Sequence, residues 1–144
     1  MMNFPAFGKI EKGQDYIERP SVYAVIFDDN GRFALCVVRQ RLFLPGGGID
    51  KDENDEQALL REVKEETGLL VEIGQEIGRA DEYVHALNEG YFKKMGTFYL
   101  AKFIAQAGDG ETDHQLIWLA AEEITLPWGH GSHKWAFERA AHRS

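Results

Sequence analysis

Apolar runs recur along the chain at strand length and are broken by turn residues, with one stretch of helical period between them. Residues 21–27 are rich in Val, Ile, Tyr and Phe, the composition of a buried strand. Asp28-Asp29-Asn30-Gly31 is a turn signal, because Asn-Gly accepts the positive φ of tight hairpins. A second strand over about 32–39 then completes a hairpin. Residues 42–44 read as a short strand stopped by Pro45 and by Gly46, Gly47 and Gly48. Helical spacing without Gly or Pro covers residues 55–67, after an acidic, Asn-bearing stretch suited to a helix start, and Gly68 stands where a left-handed cap belongs. Beyond it, residues 69–73 and 78–86 read as extended, Asn88-Glu89-Gly90 turns the chain, and 91–105 returns as a long strand. A polar loop follows from Gly108 to His114. A short strand spans 116–119, a helical turn 120–124, and a terminal helix runs from His130 to about His142. In the first 18 residues Phe4, Phe7 and Ile10 suit a loose strand while Gly8 and Gly13 break any helix, and the segment reads as an N-terminal arm. Mixed strands and helices without βαβ alternation predict an α+β fold or an α/β/α sandwich.

On a helical wheel, Leu59, Leu60, Val63 and Thr67 fall on one side of the predicted helix. Glu62, Glu65 and Glu66 lie beside them, at i, i+3 and i+4. Like charges at these spacings each cost about 0.2–0.5 kcal/mol. Acids near a helix C-terminus also oppose the dipole, although Arg61 and Lys64 offset part of this. Three grouped carboxylates are the oxygen donors that hard dications such as Mg²⁺ or Mn²⁺ prefer. The Pro-Gly-Gly-Gly run before the helix lets a ligand approach the backbone closely, so Gly47 joins the candidate substrate contacts.

Composition sets the class. The 144 residues are 44% hydrophobic and 28% charged, enough to build one domain, 1–144, with a real core. Sixteen Lys+Arg against 24 Asp+Glu leave a net charge of −8, which argues against an extended nucleic-acid partner. The single cysteine, Cys36, excludes a disulfide framework or a multi-cysteine zinc site. No apolar run approaches a membrane span and residues 1–19 lack an apolar signal region, so a cytoplasmic protein without a membrane partner is expected.

The stretch GGIDKDENDEQALLREVKEETGL, Gly47 to Leu69, resembles the signature of the Nudix hydrolase family. Gly47, Glu53, Arg61, Glu62, Val63, Glu65, Glu66, Gly68 and Leu69 occupy its specified positions with every gap correct. The preceding Leu44-Pro45-Gly46-Gly47 and the Trp118–Ile124 segment are similarly placed in many members. The resemblance implies the Nudix fold, a mixed sheet between helices, over about residues 20–143. It implies metal ligation by Glu62, Glu65 and Glu66, with the Gly46 carbonyl a further candidate, and structural roles for Gly47, Glu53, Arg61 and Gly68. It also implies Mg²⁺- or Mn²⁺-assisted attack of water on a pyrophosphate bond in a small nucleotide derivative, and it allows a homodimer.

The general base stays open between Glu65, Glu66 and the loop residue Glu111, with Asp113 and His114 as neighbours. Arg39 and Arg41, just before the glycine loop, are candidate phosphate contacts. Phe43 is a candidate to stack on a base, as are Tyr83, Tyr91 and Phe98, although strand aromatics more often fill cores. His130 and His133, without a third ligand nearby, read as surface residues, and Cys36 as a buried small hydrophobe. Two other readings are a catalytically silent nucleotide-binding module and an RNA 5′-pyrophosphohydrolase.

Overall fold

The central strand shows how the sequence builds the core on two sides. Within β2 (Ile17–Phe27), Val22, Ala24 and Ile26 pack into one buried cluster, and Tyr23 and Val25 into another. Successive strand side chains point to opposite faces, so a strand covered on both must be continuously apolar. This computed structural model describes residues 4–142; residues 1–3 of the expected arm and residue 143 of the expected fold lie outside the described residues.

The remaining strands are β1 (Ala6–Gly8), β3 (Arg32–Val38), β4 (Arg41–Phe43), β5 (Gly46–Gly48), β6 (Leu69–Ala86), β7 (Gly90–Gln106) and β8 (Gln115–Ala120). They form an eight-stranded sheet in the order β1-β6-β7-β2-β3-β4, with β5 on β2 and β8 on β3. The β1–β6 and β2–β7 pairs are parallel and the others antiparallel. Helix α1 (Asp55–Thr67) contributes to the cluster holding Val22, Ala24 and Ile26. Helix α2 (Gly131–Ala141) contributes to the one holding Tyr23 and Val25. The result is the expected α+β sandwich. No helix among the described residues is long and apolar enough to cross a membrane.

Local chemistry sets the ends of α1. Asn54 Oδ1 accepts the Gln57 backbone N–H at 2.8 Å, and the Asn54 N–H donates to Gln57 Oε1 at 3.0 Å, a closed capping box. At the other end Gly68 takes φ 75°, and its N–H donates to the Lys64 carbonyl. Ala58, Leu59 and Val63 are fully buried, each large aliphatic side chain contributing about 1.5–3 kcal/mol. Leu60, expected on the buried stripe, is 45% exposed, because the sheet covers the arc on the Ala58 side instead.

Two further readings are corrected. Part of the N-terminal arm is a strand: β1 lies parallel to β6, with Ala6 opposite Asp81, and the Asp81 N–H donates to the Pro5 carbonyl. The two extended pieces after α1 are one strand, β6, which crosses the glycines through irregularities between Ile73 and Gly78 while staying paired to β7.

The division of β2 positions the site. Ser21–Tyr23 pair with β5, whereas Ile26–Phe27 pair with β3, and between them the Ala24 N–H donates to the Pro45 carbonyl. The glycine strand is thereby clamped to the sheet centre beside α1.

Candidate functional site

Arg61 organises the junction of loop and helix. Its Nε and Nη2 donate to the two oxygens of Glu53 at 2.6 and 2.8 Å, a bidentate pair. Nη2 also donates to the Gly48 carbonyl at 3.0 Å, and Nη1 reaches Glu62 Oε1 at 3.0 Å and Glu65 Oε2 at 3.2 Å. The guanidinium holds the Glu53 carboxyl down at about 2, and Glu53 in turn accepts the Asp50 N–H. One cation thus ties the β5 backbone to three carboxylates. Gly47 is glycine for a steric reason: a Cβ there would lie 2.5 Å from Glu62 Oε2.

The helix end gathers a second group. The terminal carbonyl of Glu66 accepts the Glu111 N–H at 3.0 Å, and the Gly68 carbonyl accepts the Ala107 N–H at 2.7 Å. This hangs the polar loop on α1 and gathers Glu111, Asp113 and His114 beside its end. His114 Nδ1 lies 2.9 Å from Glu111 Oε2 and 3.3 Å from Asp113 Oδ1, while its Nε2 lies 4.0 Å from Glu66 Oε2. Ligand atoms of Glu111, Asp113 and His114 all fall within 4.8 Å of one another, a possible metal-holding group in its own right.

Glu66 stands between these groups, inside a cavity of about 230 Å³ that opens beside Gly46 and Gly47. Its side chain is only 13% exposed, and burial pushes its carboxyl up to about 7. Cys36 Sγ donates to Glu66 Oε1 at 3.3 Å. Burial, with the Glu66 charge, raises the thiol far above its ordinary range, so Cys36 is an inert donor there. Burial also raises the Glu62 carboxyl.

The carboxylates of the helix therefore divide. Glu62 and Glu65 share Arg61, and Glu66 turns toward Cys36 and His114. Gly46, Gly47, Glu66 and Phe43 line the cavity together with His114. Arg39 and Arg41 do not line it. Arg39 and Gln40 form the β3–β4 turn at φ 51° and 64°, and both arginines are exposed. The lining cation is Lys94 from β7, which sequence reasoning missed because Lys93 and Lys94 look alike until the sheet assigns their faces. His130 and His133, read as surface residues, also line the cavity. His133 is 2% exposed and its Nδ1 accepts the Leu44 N–H at 3.0 Å. Phe98 is core, stacked on Tyr23 at 5.2 Å, while Tyr83 and Tyr91 pack against Tyr16.

The donor set of Glu62, Glu65, Glu66 and the Gly46 backbone is all oxygen, with two carboxylates raised by burial. Such under-compensated negative charge beside a glycine wall suits a hard dication.

Residues 17–140 match the NUDIX domain family. No curated protein matches the sequence significantly. Among solved structures, a MutT NUDIX hydrolase from Burkholderia pseudomallei is 27% identical, with a TM-score of 0.71 over 85% of this chain and 97% of its own. A MutT protein from Methanosarcina mazei Go1 is 21% identical at TM-score 0.69, covering 90% and 96%. An ADP-ribose pyrophosphatase from Streptococcus suis is 17% identical at TM-score 0.67, covering 87% and 90%. At these last two identities the likeness is one of fold.

Proposed function

The chain belongs to the Nudix hydrolase family, and from that premise we propose that it uses Mg²⁺ or Mn²⁺ to hydrolyse a pyrophosphate bond in a small nucleoside diphosphate derivative. The observation that carries this reading is Glu66, largely buried in the wall of a glycine-lined cavity, with Glu62 and Glu65 on the same helix held beside the glycine strand by Arg61. Glu62, Glu65 and Glu66, with the Gly46 carbonyl, would hold the metal. When bound, it supplies charge neutralisation of the phosphates and acidifies the attacking water. The chain's own residues do the rest. Arg61 orients Glu62 and Glu65, the glycine strand admits the polyphosphate against its backbone, and Lys94 adds positive charge to the cavity wall.

In the reaction, the water oxygen bonds to phosphorus, the bridging P–O bond breaks, and the leaving phosphate departs with its electron pair. The water proton passes to a carboxylate. Glu66 lies within the cavity, and Glu111, on the far side of His114, is exposed enough to release a proton to solvent. Glu65, half exposed and tied to Arg61, stays at the edge. We place this chemistry in the cytoplasm, where Cys36 persists as a thiol.

The test is a panel of nucleoside triphosphates, dinucleoside polyphosphates, nucleotide sugars, dinucleotide cofactors and 5′-triphosphorylated RNA, assayed for phosphate products. Turnover of at least one small nucleotide is expected with Mg²⁺ or Mn²⁺ and none with chelator. Binding without turnover under either metal would make the chain a silent module, and turnover of the RNA alone would make it a 5′-pyrophosphohydrolase. A companion variant, Gly47→Ala, should displace the Glu62 carboxylate and lower kcat/KM by about 10- to 100-fold. Its φ is ordinary, so the melting temperature should move little; an unchanged kcat/KM would detach Glu62 from the site.

A further inference from the structure

We propose that the part of the cavity lined by Lys94 and His133, with Tyr23, Phe43 and His130, is a nucleobase pocket that selects keto bases (guanine, uracil, thymine) over adenine and cytosine. The inference deepens the hydrolase reading and rests on it for the placement of the phosphates at the Glu66 end.

The argument turns on which way each buried polar group must hydrogen bond. His133 Nδ1 accepts the Leu44 N–H, so the ring proton belongs on Nε2, which is a donor. That is the ring's one recorded hydrogen bond among the described residues, although the side chain is 98% buried and lines the cavity. The imidazole stays neutral, because burial and the nearby charge of Lys94 hold it well below the usual histidine range. Lys94 is an ammonium with three donors and no acceptor, and no carboxylate of the described residues comes within ion-pairing distance of it. Glu82 and Glu89 act on it only at longer range. Lys94 and the His133 Nε2–H are therefore both donors.

Guanine presents adjacent acceptors at O6 and N7, and uracil or thymine an acceptor at O4. Adenine and cytosine put an exocyclic amino donor at the matching position. Against Lys94 and His133 that amino group meets donors only, and a buried donor left without an acceptor is a strong penalty. Aromatic rings line the cavity: Tyr23 packs 4.4 Å from the His133 ring, and Phe43 meets His130 edge-on at 5.1 Å.

The experiment measures binding of GDP, UDP, ADP and CDP to the intact protein by calorimetry in Mg²⁺, alongside turnover of the four triphosphates, for the native chain and Lys94→Met. GDP or UDP should bind about tenfold or more tightly than ADP and CDP, and Lys94→Met should bring the four within about threefold. Equal binding of all four by the native protein, or preference for ADP or CDP, overturns the proposal. So does a Lys94→Met variant that weakens all four by one common factor, the signature of a phosphate contact. If the variant does not fold, the selectivity of the native protein decides alone. Keto selectivity in binding without turnover of any nucleotide would leave the pocket standing and remove the hydrolase reading.

Discussion

Glu66→Gln should abolish most turnover, lowering kcat/KM by at least about 10²-fold, while the metal-free protein becomes more stable at neutral pH. The side chain is buried beside Cys36 and His114, and its carboxyl sits near 7 because burial penalises the charge. An ordinary Glu titrates at about 4.3 in the unfolded chain. A folded pKa above the unfolded one means that the protonated carboxyl is the form the fold favours. This contribution to stability is complete below about pH 4.3 and is lost as pH rises through about 7. Glutamine keeps the shape and an acceptor for the Cys36 thiol, and it carries no charge to bury. In chelator the variant should match the native protein near pH 4 and exceed it by roughly 1–3 kcal/mol above pH 7, read from denaturant unfolding at several pH values. In saturating Mg²⁺ the native protein should regain the advantage, since the ion favours the folded form that binds it. A variant that keeps native turnover would take Glu66 out of the chemistry, and one destabilised equally at every pH would show that the carboxylate is satisfied without metal.

What could be read from the chain alone follows the range of the interactions involved. The bounds of α1 were legible because Asn54, Gln57 and Gly68 act within a few residues of the ends they cap. The resemblance implied structural roles for Glu53 and Arg61, and their bidentate pair across eight residues is seen only in the structure. Illegible features depend on partners distant in sequence. The glycines at 74 and 78 argue locally against one strand, and only pairing with β7 carries β6 across them. Phe7 looks like an arm residue until β1 docks on β6 and its ring meets Gly131, where a Cβ would lie 2.8 Å away. His133 carries no sign of burial in its own helix; its role comes from Leu44, 89 positions earlier. The signature thus marks the Gly46, Gly47 and Glu66 side of the cavity, while the sheet and the last helix supply Tyr23, Phe43, Lys94 and His133 from β2, β4, β7 and α2.

Arg61→Ala should combine the largest loss of stability at the site with a loss of activity comparable to that of Glu66→Gln. The guanidinium satisfies Glu53, Glu62, Glu65 and the Gly48 carbonyl at once. Removing it leaves Glu62 and Glu65 as unscreened like charges one turn apart and frees the glycine strand from the helix. Hydrogen bonds to charged groups contribute about 1.5–3 kcal/mol each, but they share one donor and the side chain is partly exposed, so the net loss should be about 2–3 kcal/mol. Activity should fall by about 10²-fold or more through kcat, because the carboxylates lose their orientation while the Lys94 and His133 wall of the cavity is untouched. Arg61→Lys separates charge from geometry. It keeps the positive charge but cannot fork across Glu53 and Glu62 together, so it should recover part of the stability and little of the rate. Full recovery of kcat by lysine would show that Arg61 acts only as a point charge. Loss of stability with no change in kcat for the alanine variant would mean that Glu62 and Glu65 find their working positions without it.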